Sequence, residues 1–174
     1  MEPVGSIMDF HEIYEAYFPK VYHYVYSCLL QREAAEDVTE EVFLSVLENF
    51  ALQYAGRGTV YSWICTIARN MVRDYFKKAH VRYEIPIDTI SEEEALPDMA
   101  DGSADSLGTP ENQMLRSILQ KLSPGERDFL GLRYGMELRY AEIGRLLGIS
   151  SETAKKRGGR ILEKCRRLAG ESSI

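Results

Sequence analysis

Tyr140-Ala141-Glu142-Ile143-Gly144-Arg145-Leu146-Leu147-Gly148-Ile149-Ser150-Ser151-Glu152-Thr153-Ala154-Lys155-Lys156-Arg157 reads as a short helix, a glycine turn and a second, capped helix. Tyr140, Ile143, Leu146 and Leu147 repeat at three- and four-residue steps, the period of one helix face. Gly148 stops that helix, and Ser150 supplies an N-cap hydroxyl for the next. The second helix has an inner face of Ala154, Gly158, Ile161, Cys165 and Leu168. Its outer face holds Ser151, Glu152, Lys155, Lys156, Arg160 and Lys164. Small Ala154 permits close packing, while Ile143 and Ile149 fill the joint. This is a helix-turn-helix pattern, which lets a second helix lie in the major groove of duplex DNA. Lys and Arg there can meet guanine edges or phosphates, Glu can accept from cytosine, and the free amides at the helix start attract phosphate.

Upstream, Ser123-Pro124-Gly125-Glu126 is a helix start. Ser caps, Pro occupies the first turn and Glu reaches back from three residues on. Phe129, Leu130 and Arg133 continue the pattern, and Gly135 is placed to close it in a left-handed conformation. Further upstream, residues 84–111 break every period. They contain no Lys or Arg, nine Asp or Glu, and Pro86, Pro97, Pro110, Gly102 and Gly108. Such a segment buries too little apolar surface to offset its ordering entropy, so it reads as an acidic linker extended by its own charge.

The first 83 residues carry three helical stripes. Phe10, Ile13, Tyr14, Tyr17, Val21, Tyr24, Val25 and Cys28 mark one, with Pro19 expected to bend or restart it. Ala35, Val38, Val42, Val46 and Phe50 mark a second, and Val60, Trp63, Ile64, Ile67, Met71 and Tyr75 a third that runs to about His80. The second helix is acidic on its outer side, with Glu33, Glu36, Asp37, Glu40, Glu41 and Glu48, which suits protein docking better than nucleic acid. The third sets Arg69, Arg73 and Lys77 four residues apart, with Lys78, Arg82, Tyr75, Phe76 and Tyr83 close by. Basic side chains interleaved with rings suit a single strand, since charge holds the backbone and rings stack on bases. Tyr54, in the preceding turn, is placed to receive an unstacked base.

Net charge is −6 for the whole chain, but it is unevenly spread. Residues 1–83 balance to −3, residues 84–111 to −9 and residues 112–174 to +6. The acidic middle conceals a basic C-terminal unit. A hydrophobic content of 45% suffices for packed cores, and no apolar run nears the roughly 20 residues that span a bilayer. The N-terminus lacks the basic start and apolar stretch of a signal peptide. Cys28, Cys65 and Cys165 sit at apolar helix positions, which suits reduced core thiols in the cytoplasm better than a disulfide or metal site. His11, His23 and His80 are scattered, and no glycine-rich phosphate loop precedes a helix, so no enzyme, metal or cofactor is expected. The fold expected is all-α: two small helical domains (1–83 and 112–174) joined by the acidic linker (84–111), the second a helix-turn-helix domain. On these residues alone, a regulator that binds duplex DNA directly as a dimer, and an adaptor that acts without DNA, both remain open.

Ala35-Glu36-Asp37-Val38-Thr39-Glu40-Glu41-Val42-Phe43 followed by Ser62-Trp63-Ile64-Cys65-Thr66-Ile67-Ala68-Arg69-Asn70 resembles conserved region 2 of the extracytoplasmic-function (ECF) sigma factors. Leu122-Ser123-Pro124 through Arg127, Leu132-Arg133, and Tyr140-Ala141-Glu142-Ile143 to Leu147-Gly148-Ile149-Ser150 resemble their region 4. The resemblance covers residues 10–83 and 112–168 and implies an alternative sigma factor that brings core RNA polymerase to promoter DNA. On it, Asp37, Glu40, Glu41 and Phe43 would dock on the clamp helices of polymerase. Tyr54, Arg57, Arg69, Asn70, Arg73 and Lys77 would hold the melted strand of the −10 element. Ser151, Glu152, Thr153, Lys155, Lys156, Arg157 and Arg160 would read the −35 element as duplex. The linker would thread towards the RNA exit channel. The resemblance also implies an anti-sigma factor as a partner, without insertion of this chain into a membrane. In two respects the sequence departs from the family: Gly144 stands where Ala is usual, and Gly158-Gly159 lies inside the recognition helix, where each glycine costs roughly 1 kcal/mol relative to Ala.

Overall fold

The structure, a computed structural model, describes residues 9–53, 59–82 and 110–171. Every regular element among them is helical. Helix α1 (Phe10–Leu29) starts at Asp9, whose carboxylate accepts from the Glu12 amide at 2.9 Å while Glu12 reaches back to the Asp9 amide. It ends where Leu30 turns left-handed, φ 57°, and the Leu30 amide donates to the Tyr26 carbonyl. Pro19 neither bends the helix to a stop nor restarts it: α1 is continuous through it. The proline removes one internal donor, and the buried Ile13 before it and Val21, Tyr24 and Val25 after it hold both halves in one core.

Helices α2 (Arg32–Gln53) and α3 (Val60–Arg82) pack on α1 and on each other. Ala35, Val38, Val42 and Val46 of α2 meet Ile64, Ala68 and Val72 of α3, all nearly or fully buried. Each such side chain contributes about 1.5–3 kcal/mol when fully buried. Thr39 is buried among them, and its hydroxyl donates to the Ala35 carbonyl at 2.6 Å, so no polar group is stranded. The side chain of Phe50 lies outside the described ones, as do residues 83–109, which include nearly all of the expected linker.

Helix α4 (Pro110–Gln120) begins two residues inside that expected linker. Pro110 belongs to its first turn, where a missing amide proton costs nothing, and Glu111 complements the helix dipole there. Helix α5 (Pro124–Leu130) has the expected capping box: Ser123 accepts from the Glu126 amide at 3.2 Å and Glu126 accepts from the Ser123 amide at 2.9 Å. A π-helical turn, Gly131–Gly135, follows directly. Gly135 does not close α5 in a left-handed conformation; the positive φ falls on Glu137, at 56°. Gly135 answers to packing instead. A β-carbon there would lie 2.9 Å from the Tyr24 backbone nitrogen, so only glycine lets the turn lie against α1. Helices α6 (Tyr140–Leu147) and α7 (Ser151–Glu171) complete the chain, joined through Gly148 at φ 70°.

The two helical units lie against each other. Helix α1 packs on α5 and on the π-helical turn, and Phe129, Leu132, Met136 and Leu138 join the core begun by α1–α3. A smaller cluster, Leu30, Leu119 and Leu122, closes the other end.

Candidate nucleic-acid interface

The joint between α6 and α7 is built as the glycine turn predicts. Ile143 is fully buried, the Ile149 amide donates to the Gly144 carbonyl at 2.9 Å, and the Thr153 amide donates to Ser150 Oγ at 3.1 Å. Gly144 is required by proximity, since a β-carbon there would lie 2.6 Å from the Ile149 carbonyl oxygen. Arg133 ties the π-helical turn to this unit: it donates to the Leu138 carbonyl at 3.2 Å, and its guanidinium stands 4.9 Å from the Tyr140 ring centre.

On α7, Ser151, Glu152, Thr153, Lys155, Lys156 and Arg160 are exposed. Lys156 leans on Glu152 at 3.4 Å, an exposed pair that water and salt weaken and that a phosphate can displace. Two side chains counted outward by spacing turn inward. Arg157 is half-buried with its guanidinium 5.7 Å from the Phe129 ring centre, and Lys164 bonds Glu126 at 2.9 Å. Arg157 is therefore a packing residue of the α5–α7 contact in this arrangement, and the outward cationic set is Lys155, Lys156 and Arg160. Gly158 explains the glycine pair in part. It is buried, and a β-carbon there would lie 3.0 Å from Tyr140 and 3.1 Å from Phe129, whereas Gly159 faces open space.

On α3, Asn70, Arg73, Lys77 and Lys78 are exposed and share a side of the helix, with Tyr75 and Phe76 half-buried beside them in an edge-on pair 5.9 Å apart. Arg69 is not free. Its Nε lies 3.3 Å from Asp128 Oδ2 on α5, with both side chains about one-fifth exposed. Tyr54 and Arg57 lie outside the described residues.

On α2, Asp37, Glu40, Glu41 and Glu48 are exposed as expected. Phe43 is not: it is 2% exposed, its ring 5.1 Å from Tyr14 and 5.6 Å from Phe18. Among the described contacts it packs the α1–α2 core, and it cannot itself meet a partner without α1 moving. Leu44 and Leu47 point outward instead, 56% and 52% exposed, on the acidic side of the helix. Sequence reasoning missed both. The signal was there, because neither falls on the Ala35–Val38–Val42–Val46 stripe.

The thiols sit in contrasting surroundings. Burial pushes Cys65 of α3 up to about 12, and nearby Glu142 acts in the same direction. Burial also raises Cys28 and Tyr24 well above their ordinary values. Cys165 of α7 is raised by partial burial and by Glu126.

A helix-turn-helix with a free basic edge, set beside a basic three-helix unit, defines a bipartite DNA-binding protein. Residues 13–82 match the family described as Sigma-70 region 2, and residues 118–167 match Sigma-70, region 4. RNA polymerase sigma factor CarQ of Myxococcus xanthus is 31% identical over 172 residues, covering 98% of this chain and 94% of CarQ. ECF RNA polymerase sigma factor BldN of Streptomyces coelicolor is 32% identical over 148 residues, covering 83% of this chain. The chain spans only 54% of BldN's own length. In fold it is similar to sigma factor RpoE of Bartonella quintana, solved with the anti-sigma factor NepR, at TM-score 0.70 and 19% identity over 92% of this chain and 96% of that one. It is also similar to CnrH, solved with the cytosolic domain of CnrY, at TM-score 0.65 and 18% identity over 93% of this chain and 88% of that one. The chain belongs to the ECF sigma factors of the RNA polymerase sigma-70 family. It is an alternative sigma factor of transcription initiation. Among the described residues, no helix is long and apolar enough to cross a membrane.

Proposed function

We propose that the chain works by binding alone, dividing promoter recognition among three faces while docked on core RNA polymerase in the cytoplasm. The exposed stripe of α2, Asp37, Glu40, Glu41, Leu44, Leu47 and Glu48, docks on polymerase, with the leucines supplying apolar area and the acids orientation. Asn70, Arg73 and Lys77 of α3, joined by Arg69 once it is released and by Tyr54 and Arg57 of the preceding turn, hold the melted −10 strand. Lys155, Lys156 and Arg160, with Ser151, Glu152 and Thr153, read the −35 duplex from the major groove. Each DNA contact is weak alone and gains effective concentration from the shared scaffold. The free chain therefore binds promoters poorly and the holoenzyme tightly.

The observation that carries this reading is the coexistence, on one small chain, of an acidic–apolar docking stripe and two separate basic faces. A dimeric regulator that binds DNA directly has no use for the first. An anti-sigma factor is the partner that fits regulation, as NepR and the cytosolic domain of CnrY do for the two structural relatives. The test is run-off transcription with purified core polymerase on DNA from upstream of the chain's own gene, beside gel filtration with core. A transcript that depends on the protein supports the proposal. Absence of both transcript and co-elution rejects it in favour of a stand-alone regulator.

A further inference from the structure

The contact between the two units converges on Asp128. Tyr24 Oη of α1 donates to Asp128 Oδ1 at 2.6 Å, while Arg69 Nε of α3 lies 3.3 Å from Asp128 Oδ2. One carboxylate of α5 thus binds two helices of the other unit at once. Around it lie further polar ties: Lys20 to Glu137 at 3.2 Å, the Tyr61 hydroxyl to the Met136 carbonyl, and Arg116 to the Leu30 carbonyl at 3.2 Å. Backbone closeness comes from Gly131 and Gly135. A β-carbon on the first would lie 2.6 Å from Ser27 Oγ and 2.7 Å from the Tyr24 ring, and one on the second 2.9 Å from the Tyr24 nitrogen.

Two properties make this contact a closure and not only a core. First, it occupies Arg69, one residue from Asn70 and four from Arg73, both of which stay exposed. The Asp128 carboxylate stands where an anionic phosphate would otherwise meet the guanidinium. Second, the contact is rich in ion pairs and hydrogen bonds that water can replace, as in interfaces between units that move apart. The 27 residues between Arg82 and Pro110 could reach about 90 Å if fully extended, so chain length permits separation.

We propose that Asp128 is an internal latch: held by Tyr24 and Arg69, it closes the C-terminal unit on the N-terminal one, and its release frees Arg69 for nucleic acid. The inference rests on the proposed role of α3 in strand binding, and it adds that the free chain masks that face with its own carboxylate. Helix α7 stays open in the latched form, and so does the α2 stripe. The chain can therefore reach polymerase before it unlatches.

The test uses two variants of the full chain that act by different means. Asp128→Ala removes the latch charge, whereas Gly135→Val wedges the units apart and leaves that charge in place. Three quantities are read on the free protein: radius of gyration by small-angle scattering, alkylation rate of Cys28 by peptide mass spectrometry, and anisotropy of a fluorescein-labelled single-stranded DNA of mixed sequence. Cys28 is a suitable reporter because it is 2% exposed, one helical turn from Tyr24. Both variants are expected to enlarge the radius, raise the alkylation rate at least about tenfold and bind the oligonucleotide several-fold more tightly, with far-ultraviolet circular dichroism unchanged. If Gly135→Val loses helicity, Asp128→Ala decides. The latch is overturned if the radius and alkylation rate of Asp128→Ala equal those of wild type. It is equally overturned if Gly135→Val opens the chain without a gain in oligonucleotide binding, because Asp128 would then only repel DNA. None of these readings requires transcription, so their failure is separable from failure of the sigma-factor reading.

Discussion

On α7 the cations Lys155, Lys156 and Arg160 stand in solvent, while on α3 the row that begins at Arg69 is tied at that residue to Asp128 of α5. Both helices are basic and both belong to faces assigned to promoter DNA, yet only α7 is ready as it stands. The difference follows from what each helix packs on. Helix α7 lays its inner face on α4, α5 and α6 of its own unit, leaving its outer edge free. Helix α3 is a wall of the N-terminal bundle, and one end of its basic row lies beside the foreign helix α5. A duplex reader can thus be preformed, while a melted-strand reader is completed only when the units part.

Replacing Lys155, Lys156 and Arg160 together by Ala should have the largest effect. Each contact of this kind is worth about 1–3 kcal/mol, so holoenzyme affinity for promoter duplex should fall at least about a hundredfold. Thermal stability should hold, because none of the three packs on the core. A melting temperature that falls in step with affinity would mean that α7 is no freer than α3. Smaller, and confined to open-complex formation, is the effect of Arg73→Ala with Lys77→Ala: about tenfold, with duplex binding untouched. Heparin-resistant complexes on matched and pre-melted templates separate the two steps. A pre-melted bubble that rescues the α7 variant but not the α3 variant is the expected pattern; the reverse would exchange the roles of the two faces.

Much of this contrast was legible in the sequence, and the illegible part has one physical origin. The capping box at Ser123 and Glu126, the glycine turn at Gly148 and the stripes of α1–α3 are local patterns, and they appear where spacing places them. Arg69, Arg157, Phe43 and Gly135 were read as outward, outward, docking and turn-forming. Each is governed by a contact distant in sequence, as with Arg69 and Asp128, 59 residues apart. Periodicity states which side of a helix a residue occupies. It does not state whether that side meets solvent or another unit. Phe43 and Leu44 show the consequence on adjacent residues: one ring is buried under α1, and the next side chain is left for a partner.

The glycine pair of α7 sharpens the same point at a scale of about 1 kcal/mol. Gly159 faces open space, so Gly159→Ala should stabilise the protein by about 0.5–1 kcal/mol through helix propensity alone. Its melting temperature should rise by roughly 2–4 °C for each kcal/mol gained. Gly158→Ala gains the same propensity but drives a β-carbon to 3.0 Å from Tyr140, and overpacking of this kind costs about 1–3 kcal/mol. It should therefore melt below wild type. Equal gains from both substitutions would show that α7 is loosely seated and that its freedom is not confined to the outer edge.

The smallest expected effect separates the two helices by acidity. Cys65 of α3, pushed up to about 12 by burial and by Glu142 across the inter-unit contact, is protonated in the fold over a range where the unfolded thiol, near 9.0, ionises. A group whose folded value is raised contributes stability that is fully present below the unfolded value and lost as pH rises through the folded one. Stability should therefore decline between about pH 9 and 12, and Cys65→Ala should flatten that slope whatever it does to the absolute melting temperature. Tyr24, raised well above its ordinary value at the Asp128 contact, acts with the same sign at higher pH. Cys165 on α7 is less buried, so it should alkylate at lower pH than Cys65. The α3 side of the inter-unit contact should thus loosen under alkali while α7 keeps its seat, as site-resolved alkylation against pH would report. Simultaneous reaction of Cys65 and Cys165 at every pH would instead mean that the protein opens as one cooperative body, with no separate inter-unit closure to release.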